Sequence, residues 1–97
     1  MEKFHKFLLE NGFEFQYKTN NELNYYYTKV VEGIDFVYCL TAPHEGTRNR
    51  YLLRAETKED FDRWSIARFM RFYKDFNDFK ENWGKYLLFD EYDEMYK

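Results

Sequence analysis

Six arginines (Arg48, Arg50, Arg54, Arg63, Arg68 and Arg71) fall within one 24-residue window. Guanidinium groups bind phosphate and stack on flat rings, so such a window raises nucleic-acid binding as a function class. Arg48 and Arg50 would project from a loop and a strand end, and Arg68 and Arg71 lie about one helical turn apart. With Tyr51 and Tyr73 beside them, Arg48, Arg50, Arg68 and Arg71 could contact phosphates and stack on bases. The competing explanation is surface ion pairing, with aliphatic stems laid over aromatic rings. Four of the six arginines have an acid within four residues, and the whole chain is acidic, with a pI near 5.4. Nucleic acid is therefore the less favoured partner.

The rival concentration is acidic. Residues 75–97 hold seven acids against three lysines, a net −4, whereas residues 48–74 carry +4. Asp75, Asp78 and Glu81 recur at three-residue steps, and Asp90, Glu91, Asp93 and Glu94 continue the charge, with Tyr92 and Tyr96 interleaved as aromatic anchors. Carboxylates spaced on a rigid element can imitate a phosphate backbone and occupy a basic channel, because the field that attracts DNA attracts them too. The plainer explanation is a solvated helix face.

No constellation argues for catalysis. The histidines, His5 and His44, have no ligand spacing around them, and the acidic end lacks the Gly and Asn/Asp spacing of a calcium loop, so neither metal nor cofactor is expected. Ser65 and Cys39 have no histidine near them in sequence, and His44-Glu45 reads as a polar loop before it reads as an acid–base pair. Four glycines leave no room for a phosphate-cradling loop. A single cysteine excludes an internal disulfide.

The elements that would position these groups follow from periodicity. Ninety-seven residues make a single domain over 1–97. Aromatic residues make up 24% of it, so the core is expected to be built from large rings, each removing roughly 150–250 Å² from water. Glu2–Glu10 reads as a helix stopped by Asn11-Gly12. Phe13, Phe15 and Tyr17 alternate with polar residues as one strand; 24–32 and 34–41 make two more around a Glu32-Gly33 turn. Ile34, Phe36, Tyr38 and Leu40 share one face of the third strand, and Asp35, Val37, Cys39 and Thr41 the other. Both faces carry apolar groups, so the sheet is either covered twice or left with one open aromatic face. Residues 43–49 form a loop and 50–55 a fourth strand.

Thr57 with Asp60 marks a helix start. From there Phe69, Phe72, Phe76, Phe79, Trp83 and Tyr86 recur at steps of 3, 4, 3, 4 and 3, an aromatic stripe on a helix widened by Ile66 and Tyr73 and ended at Gly84. Asp75, Asn77 and Asp78 also make good caps, so a break near 75–77 is expected. Residues 85–97 lean helical, with a strand at Leu87–Phe89 as the alternative. The expected fold is α+β: an N-terminal helix, a four-stranded antiparallel meander and two or more C-terminal helices packed on the sheet.

No apolar run approaches the roughly 20 residues of a membrane span, and charges scattered through the first fifteen residues argue against a signal peptide. A cytoplasmic protein is expected. The architecture and the segment FKENWGKYLLFDEYDEMYK resemble small acidic phage-encoded anti-CRISPR proteins, which block an RNA-guided nuclease by mimicking DNA. The resemblance implies a non-catalytic inhibitor from a phage or mobile element. Its partner would be a host protein with a basic surface, such as a nucleic-acid-binding enzyme, met by Asp75, Asp78, Glu81, Asp90, Glu91, Tyr92, Asp93, Glu94 and Tyr96. The arginine window and the mild net charge of −3 depart from that pattern. A homodimer is the third expectation, because an aromatic sheet face gains from being covered.

Overall fold

A computed structural model describes residues 1–63, 69–83 and 91–92. The chain is α+β. Helix α1 (Glu2–Glu10) leads into strands β1 (Glu14–Lys18), β2 (Asn24–Val31), β3 (Ile34–Thr41) and β4 (Tyr51–Thr57). Then come the short helix α2 (Lys58–Asp62), strand β5 (Phe69–Tyr73), helix α3 (Phe76–Asn82) and the two-residue strand β6 (Glu91–Tyr92). The sheet order is β1-β2-β3-β4-β5-β6; the first five strands are antiparallel neighbours, and β6 runs parallel to β5.

Local signals explain most of these bounds. Glu32 and Gly33 both have positive φ, 52° and 79°, the mirror-image turn whose twist matches a two-residue hairpin. That turn fixes the long β2–β3 register from Asn24↔Thr41 to Val31↔Ile34. At α1's end Gly12 has φ +87°, and Asn11 closes the last turn through its Nδ2, which donates to the Phe7 carbonyl at 2.8 Å. Thr57 Oγ1 accepts the Asp60 N–H at 3.1 Å and starts α2.

Helices α1 and α3 cover one face of the sheet. There Phe4, Leu8, Phe13, Tyr27, Phe36, Tyr38, Leu40, Leu53, Ala55, Tyr73 and Phe79 form a continuous core. The rings meet mostly edge to face, as Tyr73 on Phe79 at 5.0 Å and Phe13 on Tyr38 at 4.8 Å, the arrangement ring quadrupoles favour. Lys29 lays its ammonium over Phe13 (4.7 Å) and Trp83 (5.4 Å) while donating to the Asn11 carbonyl at 2.9 Å. The stem thus seals the rim of the core and keeps the charge bonded.

Several expectations need correction. The aromatic stripe from Thr57 to Trp83 is not one helix: α2 ends at Asp62, and Phe69–Tyr73 is a strand bonded to β4. The run Phe-Met-Arg-Phe-Tyr suits a pleated surface as well as a helix, and pairing to an aromatic-rich neighbour decided between them. Hence the antiparallel meander has five strands, not four. The break expected near 75–77 is present, with Asp75 as the N-cap of α3. Glu91–Tyr92 is strand where a helix was favoured. A β-bulge between Phe15 and Tyr17 puts Phe15 opposite Tyr27 but Tyr17 opposite Tyr26, so these two rings point to opposite faces although their spacing suggests one. Ser65, Ile66, Arg68, Gly84, Tyr86, Leu87–Phe89, Asp90, Asp93, Glu94 and Tyr96 lie outside the described residues.

Candidate functional sites

The expected acidic site divides. Asp75 Oδ1 accepts the Asp78 N–H at 2.8 Å, while Asp78 Oδ2 accepts from Lys74 N at 3.0 Å and its Oδ1 from Asn82 Nδ2 at 2.9 Å. These carboxylates hold the start of α3 together, a structural use that competes with partner contact. Asp75→Ala is expected to lower stability by about 1 kcal/mol, read as a shift of the urea midpoint at unchanged slope; no shift would show that the cap carries nothing. Glu81 lies one turn on from Asp78 and is exposed. Glu91 and Tyr92 pair with Phe69 and Met70 at the far edge of the sheet. Strand β6 lies at that edge, whereas α3 crosses the helix-covered face and brings its Trp83 end against Phe13 and Lys29 on the β1–β2 side.

The arginine site does not assemble as expected. Arg48 is exposed in a left-handed conformation (φ 55°) after a single 3₁₀ turn at Glu45–Thr47, and Arg50 is exposed two residues on. Arg71 is on β5, opposite Leu53, on the face that the helices cover, with its Nε buried. It is therefore on a strand and not on the expected helix, and Tyr73, its expected stacking neighbour, is buried at 1% exposure.

His44 is occupied structurally. Its backbone N–H donates to Thr47 Oγ1 at 3.0 Å, and its Nδ1 lies 3.1 Å from the Ala42 carbonyl. His5 Nδ1 lies 2.9 Å from the Tyr27 hydroxyl. Among the described residues no group of three or more His, Cys, Asp or Glu is placed to hold a metal ion, and no helix is long and apolar enough to cross a membrane.

The sequence reading missed a site on the sheet's second face. Direct cross-strand neighbours share a face, and here a row runs Tyr17, Tyr26, Cys39, Arg54, Met70 across five strands. Val37 and Glu56, opposite each other on β3 and β4, lie beside it. Helix α2 lends Phe61, whose ring meets Tyr26 edge-on at 6.0 Å, while Tyr17 stacks on Tyr26 at 4.6 Å and 19°. Together Tyr17, Tyr26, Val37, Cys39, Arg54, Glu56, Phe61 and Asp62 line a cavity of about 540 Å³.

Charge in this cavity is arranged with care. Arg54 Nη2 donates to the Cys39 sulfur at 3.1 Å. Glu56 has one buried carboxylate oxygen, Oε2, with no hydrogen-bond partner among the described residues. Burial pushes its carboxyl above the usual range; nearby Arg54 opposes that shift and Asp60 adds to it. The Tyr26 hydroxyl is pushed up to about 12, first by burial, then by Cys39 and Tyr17, against the opposing charge of Arg54. The alternation of Val37, Cys39, Arg54 and Glu56 was visible in the sequence. Their convergence needed the cross-strand register.

No protein-family model, curated protein or solved structure matches the chain.

Proposed function

We propose that this protein is a non-catalytic binding protein of a phage or mobile element. It acts in the host cytoplasm by docking an acidic, aromatic-rich C-terminal surface on a host protein with a basic surface, inhibiting or modulating it in the manner of an anti-CRISPR-like DNA mimic. The observation that supports this reading is the acidic segment itself: residues 75–97 carry a net −4, and Glu81 stands exposed on α3. Exposed carboxylates are attractive to a basic channel over roughly a Debye length.

Glu81 and Glu91 are the residues to change, because Asp75 and Asp78 hold the fold. Glu81→Lys with Glu91→Lys is expected to weaken capture of a discrete host protein at least tenfold in nuclease-treated lysate, with thermal unfolding unchanged. Capture by wild type that disappears on nuclease treatment, or survives the double reversal undiminished, would refute the reading.

A second copy of the chain is the alternative partner, favoured by exposed apolar groups on both faces: Phe15 and Tyr17 on edge strand β1, and Val30 and Ile34 at the β2–β3 hairpin end, 60% and 45% exposed. Sedimentation equilibrium separates the two: a concentration-dependent dimer abolished by Val30→Lys supports it, and a monomer at all concentrations removes it.

A further inference from the structure

The cavity on the second face carries a specific hydrogen-bonding pattern. Arg54 and Glu56 are two residues apart on β4, so both side chains rise from the same face with Cα atoms roughly 7 Å apart. Arginine only donates, through five N–H groups. An ionised glutamate only accepts, and here one of its two oxygens is buried without a donor among the described residues. A ligand that fits this edge must present an acceptor to Arg54 and adjacent N–H donors to Glu56. The walls add a second requirement. Tyr17, Tyr26 and Phe61 offer ring faces and edges, and Val37 an apolar floor, so the ligand's body must be flat and π-rich.

We propose that this cavity binds a guanine base. The guanine edge carries a carbonyl oxygen next to two N–H donors, the complement of one guanidinium beside one carboxylate, and its bicyclic ring suits the aromatic walls. Arg54 donates to the carbonyl, Glu56 accepts both N–H groups, and the ring lies against Tyr26 and Phe61. A cavity of about 540 Å³ has room for a nucleoside, and its mouth has no need of a phosphate-cradling loop. Adenine fits poorly because it turns an amine donor toward Arg54 and places a ring acceptor where guanine has its ring N–H. The site is separate from the acidic segment, so neither reading depends on the other.

The same base could arrive free or on a nucleic-acid strand, and the test separates the two. Calorimetric titration of the full chain with guanosine, adenosine, inosine and 1-methylguanosine reads the donor pattern. Guanosine is expected to bind at least tenfold tighter than inosine, which lacks the exocyclic amine, and tighter still than 1-methylguanosine, because each hydrogen bond to a charged group carries tenfold or more in affinity. Glu56→Gln keeps the side chain's shape but turns an amide donor toward the base, and is expected to abolish the preference for guanosine. A thymidine oligonucleotide with one central guanine is the second arm. Binding tighter than guanosine marks a strand-borne base; binding equal to or weaker than guanosine marks the free nucleoside. Absence of guanosine binding at millimolar concentration, equal binding of adenosine, or an unchanged preference in Glu56→Gln would each overturn the proposal. The ligand series on wild type keeps the test valid even if the variant fails to fold.

Discussion

Phe79→Ala is expected to remove about 3–5 kcal/mol of folding stability, a large share of the roughly 5–15 kcal/mol that a domain of this kind possesses. The residue is fully buried and joins three elements at once. Its ring lies 5.0 Å from Phe4 and 5.9 Å from Phe7 on α1, 5.0 Å from Tyr73 on β5, and 6.5 Å from Trp83 just past α3. It is also the one buried residue of α3, so that helix has no other deep anchor. Seven residues are too few to be helical alone. Truncation therefore leaves a ring-sized void and frees the element that carries Asp78 and Glu81. Phe79→Leu, which fills most of the void, should cost well under half as much. Urea denaturation measures both. A loss in Phe79→Ala no greater than the ±0.5 kcal/mol of an ordinary surface change would mean that α3 does not pack on this core.

The position of Phe79 was legible in the sequence, though for a reason that was partly wrong. The 3-4 spacing of Phe76, Phe79 and Trp83 does mark a helix face, and these rings do face the core. Extending the same stripe back through Phe69 and Phe72 fails, because aromatic residues satisfy a pleated strand as readily as a helix. What settles Phe69–Tyr73 is pairing with Tyr51–Ala55, a non-local contact that a one-dimensional pattern does not contain. The first four strands were legible because short apolar and aromatic runs are bounded by clear breaks: the Asn11-Gly12 helix stop, the polar turn at 19–22, Glu32-Gly33 and the loop after Pro43. Arg71 illustrates the cost of the wrong period: helical spacing paired it with Arg68, whereas strand alternation puts it on the helix-covered face beside Leu53. The cavity was half legible. Cys39 and Val37 were seen to share a face, but nothing in the sequence shows that Tyr26, Cys39 and Arg54 stand in register. Tyr17 joins them only through a bulge, which leaves no sequence mark here.

Buried tyrosine hydroxyls give the second large expectation, a loss of stability in alkali. Tyr27 and Tyr38 are almost wholly buried, at 0% and 2% exposure. Burial pushes the Tyr38 hydroxyl up to about 12, and Tyr27 is raised as well, by burial first and by Tyr25 second. The Tyr27 hydroxyl also lies 2.9 Å from His5 Nδ1. In the unfolded chain both tyrosines ionise near pH 10. Above that pH the unfolded state binds fewer protons than the native one, so stability falls as pH rises. Tyr26, whose hydroxyl burial also pushes up to about 12, behaves alike. Each of these three groups contributes a slope of up to about 1.4 kcal/mol per pH unit, and the full stabilisation is present below pH 10. Unfolding by urea at pH 9, 10 and 11 should therefore show a constant free energy at first and then a loss approaching about 4 kcal/mol per unit, about three times the single-group slope. Absorbance at 295 nm gives the independent reading: Tyr26, Tyr27 and Tyr38 ionise only well above pH 10 or as the fold is lost. Tyr38→Phe should reduce the slope by about a third. Ionisation of all ten tyrosines near pH 10 with the circular dichroism unchanged would show that these hydroxyls reach water, contradicting the packing of α1 over β2 and β3.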